Sequence, residues 1–387
     1  MTRKLYYEDS YIKEFDAVVV SCKMLDDGKY AIITDATAFF PEGGGQPSDI
    51  GMLGYANIMY AHEDGDDVVH ISDKEICAGT TVHGSIDFDR RMRLMQNHSG
   101  EHILSGIVNK KYGYDNVGFH MGVTDLTIDY SSFLSREELR EIEHEANVAV
   151  CRNLKISATV PSPAELSKMS YRSKKELLGA VRIVEIEGYD RCACCAPHLK
   201  QTGEIGIIKV LDSIKYKGGV RVHFKCGFDA LDDYNRKYDA VREISNALSV
   251  KQDGVAEGFF KNEESYAECR AKLSELRTEI LNLKAASIKQ TDGNLCVFED
   301  ELSGDYLRRF ALSVAEKCSG ITAVFSGEEG NYNYVIISRS LDLRACSKEI
   351  NTALSARGGG SSEMIQGKAA VTRSVAEEFI LNYGKYN

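Results

Sequence analysis

The sequence predicts an α+β protein of several domains, and three observations support that prediction. The chain has 387 residues, which is longer than one ordinary domain. Short β-branched or aromatic runs separated by glycine-rich turns dominate its beginning, whereas apolar residues at helical spacing become frequent later. Apolar residues make up 43% of the chain and charged residues 27%, which is typical of globular proteins.

Residues 1–88 are predicted to form a small β-barrel domain. The runs FDAVVVSCKML, YAIITDATAFF and DVVHISD have the composition of strands, and the turns DDGK, PEGGGQPSD and EDGDD separate them. The second turn contains Gly43, Gly44 and Gly45, followed by Gln46. Because glycine lets a backbone approach a bound molecule closely, this loop is a candidate substrate-binding segment. The alternative is a plain connection between strands.

Residues 89–228 are predicted to form an α+β domain. Helical spacing begins at Asp89 and continues to about Tyr112. A second helix fits SREELREIEHEANVAVCRN, in which Ser135 caps the helix and Glu138 completes a capping box. The runs ISATVPSP and VRIVEIEGYD are predicted strands on either side of a further helix.

Residues 229–290 are predicted to form a helical hairpin or coiled coil. Apolar side chains recur there three and four residues apart, as in a coiled-coil seam: Tyr266, Cys269, Leu273, Leu276, Ile280 and Leu283. Packing within the chain and pairing of two chains both explain this seam. Residues 291–387 are predicted to form an α/β domain, because NLCVFED, ITAVFSG and NYVIISRS alternate with helical stretches.

Two separate segments predict a metal site. In QNHSGEHILS, His98 and His102 lie one helical turn apart, so both imidazoles point the same way. In YDRCACCAPHLK, Cys194 and His198 offer a thiolate and a third imidazole. Together these four side chains suit tetrahedral Zn²⁺. The alternative is a buried histidine pair and an unrelated cysteine-rich turn.

The helix with the two histidines also matches H-x-x-E-H, the pattern of inverted zinc peptidases. In that reading Glu101 is the catalytic base, and a downstream carboxylate completes the metal site. Cys194 and His198 supply the remaining ligands better, so the peptidase match is interpreted as coincidence. Glu101 remains a catalytic candidate, with a solvent-facing helix residue as the alternative.

Cysteine usage and charge indicate the compartment and the class of partner. The eleven cysteines are spread along a long chain, and MTRKLYYEDS has no apolar segment after its basic residues, so a reduced cytoplasmic location is expected. No apolar run approaches the ~18 residues of a membrane span, so no membrane partner is expected. The net charge of −11 excludes a wholly basic nucleic-acid binder but permits a local basic patch.

Four motifs in order resemble the editing module of alanyl-tRNA synthetase, and most closely the free-standing AlaX proteins of the long form. They are TDATAFFPEGGGQPSDIG (34–51), NHSGEHIL (97–104), VRIVEIEGYDRCACCAPH (181–198) and TGEIGIIKV (202–210). Near the C-terminus, ARGGGSSEMIQGKA (356–369) resembles the glycine-rich segment of the DHH-associated domain. The resemblance therefore covers nearly the whole chain. It identifies residues 89–228 as a zinc-binding editing domain and residues 291–387 as a DHH-associated domain.

The resemblance implies a hydrolase that removes serine, with glycine as a second candidate, from the tRNA for alanine. Zinc would either activate water or orient the ester. A homodimer through residues 229–290 and the C-terminal domain is a further expectation. The implied zinc ligands are His98, His102, Cys194 and His198. The implied substrate-binding residues are Gly43, Gly44, Gly45, Gln46 and Asp190, and the catalytic candidates are Glu101 and His120.

The sequence departs from the family pattern at the cysteine motif. The family usually has Cys-Gly-Gly-Thr-His, where this chain has Cys194-Cys195-Ala196-Pro197-His198. Cys192 and Cys195 are therefore rival thiolate ligands. Two other functions stay open at this point: a zinc peptidase, and a non-catalytic tRNA-binding protein in which zinc has a structural role.

Overall fold

A computed structural model describes residues 1–122, 126–173, 181–302 and 304–384. It contains two compact units, Met1–Glu243 and Ile244–Asn387. Both units combine helices with sheets, which confirms the predicted mixed α+β class of several domains. The finer division into four domains stays a prediction. Within the described ranges, no helix is both long and apolar enough to cross a membrane.

Six strands at the beginning of the chain close into a barrel in the order β2-β3-β7-β6-β5-β8. Alternate residues of β2 are buried, among them Phe15, Ala17 and Val19, because successive side chains of a strand point to opposite faces. The strands are β1 (Arg3–Lys4), β2 (Glu14–Met24), β3 (Tyr30–Thr34), β4 (Ala36–Thr37), β5 (Gly51–Leu53), β6 (Ala56–Asp64), β7 (Asp67–Ser72) and β8 (Thr81–Ile86).

Helix α1 (Phe88–Tyr112) runs through the centre of the rest of the first unit. The Asp87 carboxylate accepts a hydrogen bond from the Arg90 N–H at its start, and Gly113 ends it with a φ of 71°. Nearly every residue from Met95 to Val108 is buried, so polar groups on this helix lie in the interior. A side chain placed there has a fixed position.

Two sheets and a second helix pack around α1. One sheet has the order β14-β15-β10-β9 and the other β11-β12-β13. Helix α2 begins with the predicted capping box of Ser135 and Glu138, which is confirmed. The elements are β9 (Asn116–Met121), β10 (Leu126–Tyr130), α2 (Arg136–Cys151), β11 (Ile156–Thr159), α3 (Pro163–Leu166), β12 (Ile183–Ile186), β13 (Asp190–Ala193), β14 (Ile208–Tyr216) and β15 (Gly219–Cys226).

Two long helices follow, α4 (Gly227–Leu248) and α5 (Val255–Ser287). Gly254 lies at the break between them, and Gly258 lies inside α5. The predicted seam on α5 is exposed, and Leu281 and Ala285 are the buried residues of that helix instead. Packing of the seam within the chain is therefore not observed. The coiled coil and the homodimer stay predictions.

The rest of the second unit has helices packed on a five-stranded sheet of order β16-β17-β18-β20-β19. The three strand-like runs predicted in this region become β16, β17 and β18. The glycine-rich segment at 356–369 is a hairpin of β19 and β20. The elements are β16 (Leu295–Glu299), α6 (Gly304–Ala315), β17 (Thr322–Glu328), β18 (Asn331–Ile337), α7 (Leu343–Ala353), β19 (Ala356–Gly360), β20 (Met364–Ala369) and α8 (Arg373–Asn382).

The interior of the barrel holds a neutral histidine. His70 is fully buried, its Nδ1 donates to the Ile32 carbonyl at 3.0 Å, and its Nε2 accepts from the Thr37 hydroxyl at 2.8 Å. Since a carbonyl only accepts hydrogen bonds, the proton is on Nδ1. Burial lowers the pKa of His70 to about 4.

This lowered pKa predicts that the barrel loses stability in acid. The unfolded chain binds the proton more readily, so the contribution is fully present above pH ~6.5 and is lost as the pH falls toward 4. The expected loss is about 3 kcal/mol of unfolding free energy. Urea unfolding of wild type and His70→Gln at several pH values measures it. His144→Gln, at an exposed histidine on α2, is the control. Parallel loss of stability in wild type and His70→Gln would contradict the prediction.

Candidate metal centre and cleft

Helix α1 holds two histidines of the predicted metal site in its buried middle. His98 is 1% exposed and His102 is 2% exposed, so neither is a surface residue. Their ring centroids lie 5.4 Å apart, as expected for residues one helical turn apart. The ring of His198 lies 4.7 Å from that of His98 and 4.5 Å from that of His102. The three imidazoles therefore converge on one point.

The loop after β13 brings Cys194 to the same point. Its Sγ lies 3.5 Å from His98 Nε2 and 3.4 Å from His198 Nε2. Ligand atoms of His98, His102, Cys194 and His198 all lie within 4.8 Å of one another. In a tetrahedral site with ordinary metal–sulfur and metal–nitrogen bond lengths, sulfur and nitrogen are about 3.6 Å apart. The four predicted ligands are thus spaced as a metal ion requires.

Each imidazole uses its Nδ1 for a contact with another side chain. His98 Nδ1 is 2.9 Å from Gln46 Oε1, His102 Nδ1 is 2.8 Å from Asp190 Oδ2, and His198 Nδ1 is 3.3 Å from Ser99 Oγ. Contacts of this kind orient a metal-binding histidine and select its tautomer. They leave all three Nε2 atoms available to the centre.

The surroundings of Cys194 and His198 favour the forms that bind a metal. At His102 burial would lower the pKa, but the hydrogen bond with Asp190 holds that pKa well above its ordinary value. Burial alone would raise the pKa of the Cys194 thiol, but the imidazoles of His98 and His198 hold that pKa well below its ordinary value. Burial lowers the pKa of His198 to about 3, so its imidazole stays neutral. Thiolate and neutral imidazole are the species that metals bind.

Asp190 does not lie at the cleft, where a substrate-binding residue is expected. It was expected to bind substrate, but it does not line the cleft and instead contacts His102. Arg172 donates to both of its oxygens, at 2.7 and 2.8 Å. Burial would raise the pKa of Asp190, but His102 and Arg172 hold it below its ordinary value. Asp190 therefore contacts a predicted metal ligand, and its position does not support the predicted substrate-binding role.

Gln46 likewise contacts a metal ligand through its carbonyl oxygen. Its Nε2 amide is buried and has no hydrogen-bond partner among the described residues. Of the three preceding glycines, Gly44 and Gly45 line the cleft and Gly43 does not, and their substrate-binding role stays a prediction. Gly45 has a φ of 85°, and a Cβ there would lie 2.7 Å from the Phe119 carbonyl oxygen. Only glycine fits the loop at that position.

The two catalytic candidates lie in different places. Glu101 is 1% exposed, so the solvent-facing alternative is wrong. Its carboxylate accepts hydrogen bonds from Ser105 and Asn116, and Oε2 lies 3.9 Å from His102 Nε2. His120 is exposed on β9 and is absent from the lining of the cleft. We therefore do not carry His120 into the proposal below.

The rival thiols are separated by their positions. Cys194 contacts two of the imidazoles, whereas Cys195 lies beside Gly43 and Gly44. Cys192 is grouped with His102 and Asp190 rather than with the four ligands. Burial raises the pKa of both rivals, to about 11 for Cys195. The geometry favours Cys194 as the sulfur ligand.

A cleft of about 770 Å³ opens over the centre. His98, His102 and Cys194 line it together with residues that no sequence motif marked as functional. Those residues come from separate parts of the chain, so only folding brings them together: Tyr7, Val117, Phe119, Val160 and Arg182. Arg182 lies within one of the quoted motifs, but its residue type alone carried no signal.

Comparison with known proteins places the chain beside one family. Residues 181–223 match the threonyl and alanyl tRNA synthetase second additional domain. The chain is 31% identical to the alanine–tRNA ligase of Ignicoccus hospitalis over 93% of its own length and 40% of the ligase. It is 33% identical to the ligase of Thermococcus kodakarensis over 95% of its own length and 42% of that protein. The chain thus spans less than half the length of these relatives.

A solved structure, the C-Ala domain of Aquifex aeolicus alanyl-tRNA synthetase, matches 24% of the chain at 20% identity with a TM-score of 0.21, too low to compare folds. The sequence matches agree with the resemblance that the motifs suggested: nearly the whole chain is similar to part of these alanine–tRNA ligases.

The tight contact at Gly45 predicts a loss of stability on substitution. Gly45→Ala places a methyl group against the Phe119 carbonyl and forces a non-glycine residue to a φ of 85°. Gly28→Ala is a matched control, since its φ is 81° and nothing lies within 4 Å of an added Cβ. Both substitutions place an alanine at a positive φ, which costs ~1–2 kcal/mol in each case. We expect Gly45→Ala to lose a further ~1–3 kcal/mol in urea unfolding. Equal losses would contradict the contact.

Proposed function

Because nearly the whole chain is similar to part of alanine–tRNA ligases, we propose that it hydrolyses the ester bond between a wrong amino acid and the tRNA for alanine. The observation that carries the proposal is the centre of His98, His102, Cys194 and His198 at the cleft. Three imidazoles and one thiolate suit Zn²⁺. When bound, zinc supplies a positive charge that polarises an ester or a water molecule.

The residues around the centre have separate tasks in this proposal. Each of the three imidazoles is held in orientation by a contact at its Nδ1 atom. The contacting side chains are Gln46, Asp190 and Ser99. The loop at Gly44 and Gly45 lets the substrate come close to the backbone. Glu101 is a buried carboxylate whose Oε2 lies 3.9 Å from His102 Nε2, and it stays the proposed base although it is absent from the lining of the cleft.

Selectivity for serine over alanine requires a polar partner for the serine hydroxyl. A pocket that hydrogen-bonds a hydroxyl rejects the smaller analogue, because a buried polar group is then left unpaired. The Gln46 Nε2 amide is a buried donor without a partner among the described residues. We propose that this amide donates a hydrogen bond to the serine hydroxyl, directly or through water.

Two other functions have less support. An inverted zinc peptidase uses a carboxylate as its third protein ligand. In the described chain, the ligand group has Cys194 and His198 where such a peptidase has a carboxylate. A purely structural zinc is held by four protein ligands, and four are present here. Three of these four line a cleft, which favours a site that acts on a bound molecule.

The proposed activity is tested with aminoacylated tRNA. Purified protein is given seryl-, glycyl- and alanyl-tRNA for alanine, with and without a zinc chelator, and ester loss is followed with time. We expect chelator-sensitive loss of the seryl ester, or of the glycyl ester, while the alanyl ester persists. A folded, zinc-loaded protein that leaves every ester intact would refute the proposal.

The ligand assignment is tested by metal content. Cys194→Ala removes the thiolate, so we expect it to lose stoichiometric zinc and deacylation together. Cys269→Ala, at an exposed cysteine on α5, is the matched control and should keep both. Full zinc content in Cys194→Ala, with loss in a Cys192→Ala or Cys195→Ala variant, would move the ligand to the rival thiol. A His98→Ala variant that binds tRNA and still deacylates would show that zinc is structural.

A further inference from the structure

Arg182 differs in its partners from three other arginines of the first unit. Each of those three faces a carboxylate: buried Arg91 pairs with Asp49, and the partly buried Arg172 and Arg221 pair with Asp190 and Asp129. The Nη1 of Arg182 instead donates to the backbone carbonyls of Cys194 and Ala196, each at 2.9 Å. Among the described residues, no carboxylate forms an ion pair with Arg182.

The missing counter-charge has an energetic consequence. Arg182 is partly buried, and a guanidinium stays charged in proteins. A partly buried charge that no carboxylate neutralises is unfavourable. An anion bound beside Arg182 would relieve that cost.

The position of Arg182 shows where such an anion would lie. Arg182 lines the same cleft as the predicted metal ligands. It donates a hydrogen bond to the backbone carbonyl of Cys194, which is one of those ligands. Its guanidinium carbon lies 5.6 Å from the ring centroid of Tyr7, which also lines the cleft. This cation–π contact steadies the guanidinium plane. The other N–H groups of Arg182 have no hydrogen-bond partner in the described chain.

We propose that Arg182 binds the phosphate on the 5′ side of the terminal nucleotide of the substrate. This inference rests on the proposed function. In an aminoacylated 3′ end, one ribose ring separates the ester from that phosphate, so an ester at the metal centre places the phosphate nearby. A guanidinium fits phosphate oxygens with two parallel hydrogen bonds. Arg182 thus acts in binding, while the centre acts on the ester.

The test compares two small substrates that differ only in the phosphate. They are the 3′-seryl ester of adenosine 5′-monophosphate and the 3′-seryl ester of adenosine. We expect wild type to prefer the phosphorylated ester by about ten- to a hundredfold in kcat/KM, mainly through KM. Arg182→Gln should bring that ratio close to one. Arg182→Lys, which keeps the charge without the paired geometry, should fall between.

A matched control and a metal measurement separate binding from damage. Arg221→Gln removes an arginine that pairs with Asp129, away from the cleft, and should keep the wild-type preference. Zinc content of each variant reports whether the loop at Cys194 and Ala196 is intact. If Arg182→Gln loses zinc, the proposal is tested instead by the ratio of kcat/KM for the two esters in zinc-loaded Arg182→Lys. An unchanged preference in a zinc-loaded Arg182 variant would overturn the proposal, as would equal rates on both esters in wild type.

Failure of the proposed function has a different signature. In that case wild type hydrolyses neither small ester nor seryl-tRNA. Binding of adenosine 5′-monophosphate and of adenosine, measured by calorimetry on wild type and Arg182→Gln, then tests the phosphate site by itself. Tighter binding of the phosphorylated nucleoside that is lost in Arg182→Gln supports the site. Equal affinities in wild type overturn it.

Discussion

The buried ion pair between Arg91 and Asp49 is the interaction on which the site depends. Both side chains are at most 1% exposed, and Arg91 also donates to the carbonyls of Ser10 and Ala38. Asp49 closes the glycine-rich loop, because its carboxylate accepts from the Phe40 N–H. Arg91 lies two turns before His98 on α1. One pair thus joins the loop of the barrel to the helix of the metal ligands.

That junction explains the architecture of the centre. The loop supplies Gln46 to His98, while β13 supplies Asp190 to His102, so the two ligands on α1 are oriented from opposite parts of the unit. Breaking a buried pair such as Arg91–Asp49 leaves an uncompensated charge. It would also release the loop that lines the cleft. Stability of the barrel and geometry of the centre are therefore linked.

The proposed tRNA substrate requires local positive charge on an acidic protein. The net charge of the chain is −11, so attraction to phosphate has to arise at particular places. Arg91, Arg172 and Arg221 of the first unit are neutralised by aspartates. Arg182 has no carboxylate partner among the described residues, and it lines the cleft. In our proposal Arg182 binds a ligand, while the paired arginines hold the fold together.

The sequence by itself determined the features that depend on near neighbours. His98 with His102, Cys194 with His198, and the capping box at Ser135 are short-range patterns set by helix geometry and local hydrogen bonds, and the structure contains each of them. Contacts between distant segments were decided by the tertiary structure alone. Asp190 contacts His102 and lies outside the cleft lining, Glu101 is buried, and Tyr7 contacts Arg182 in the cleft. Such contacts depend on how β-strands and α1 pack, which no local spacing encodes.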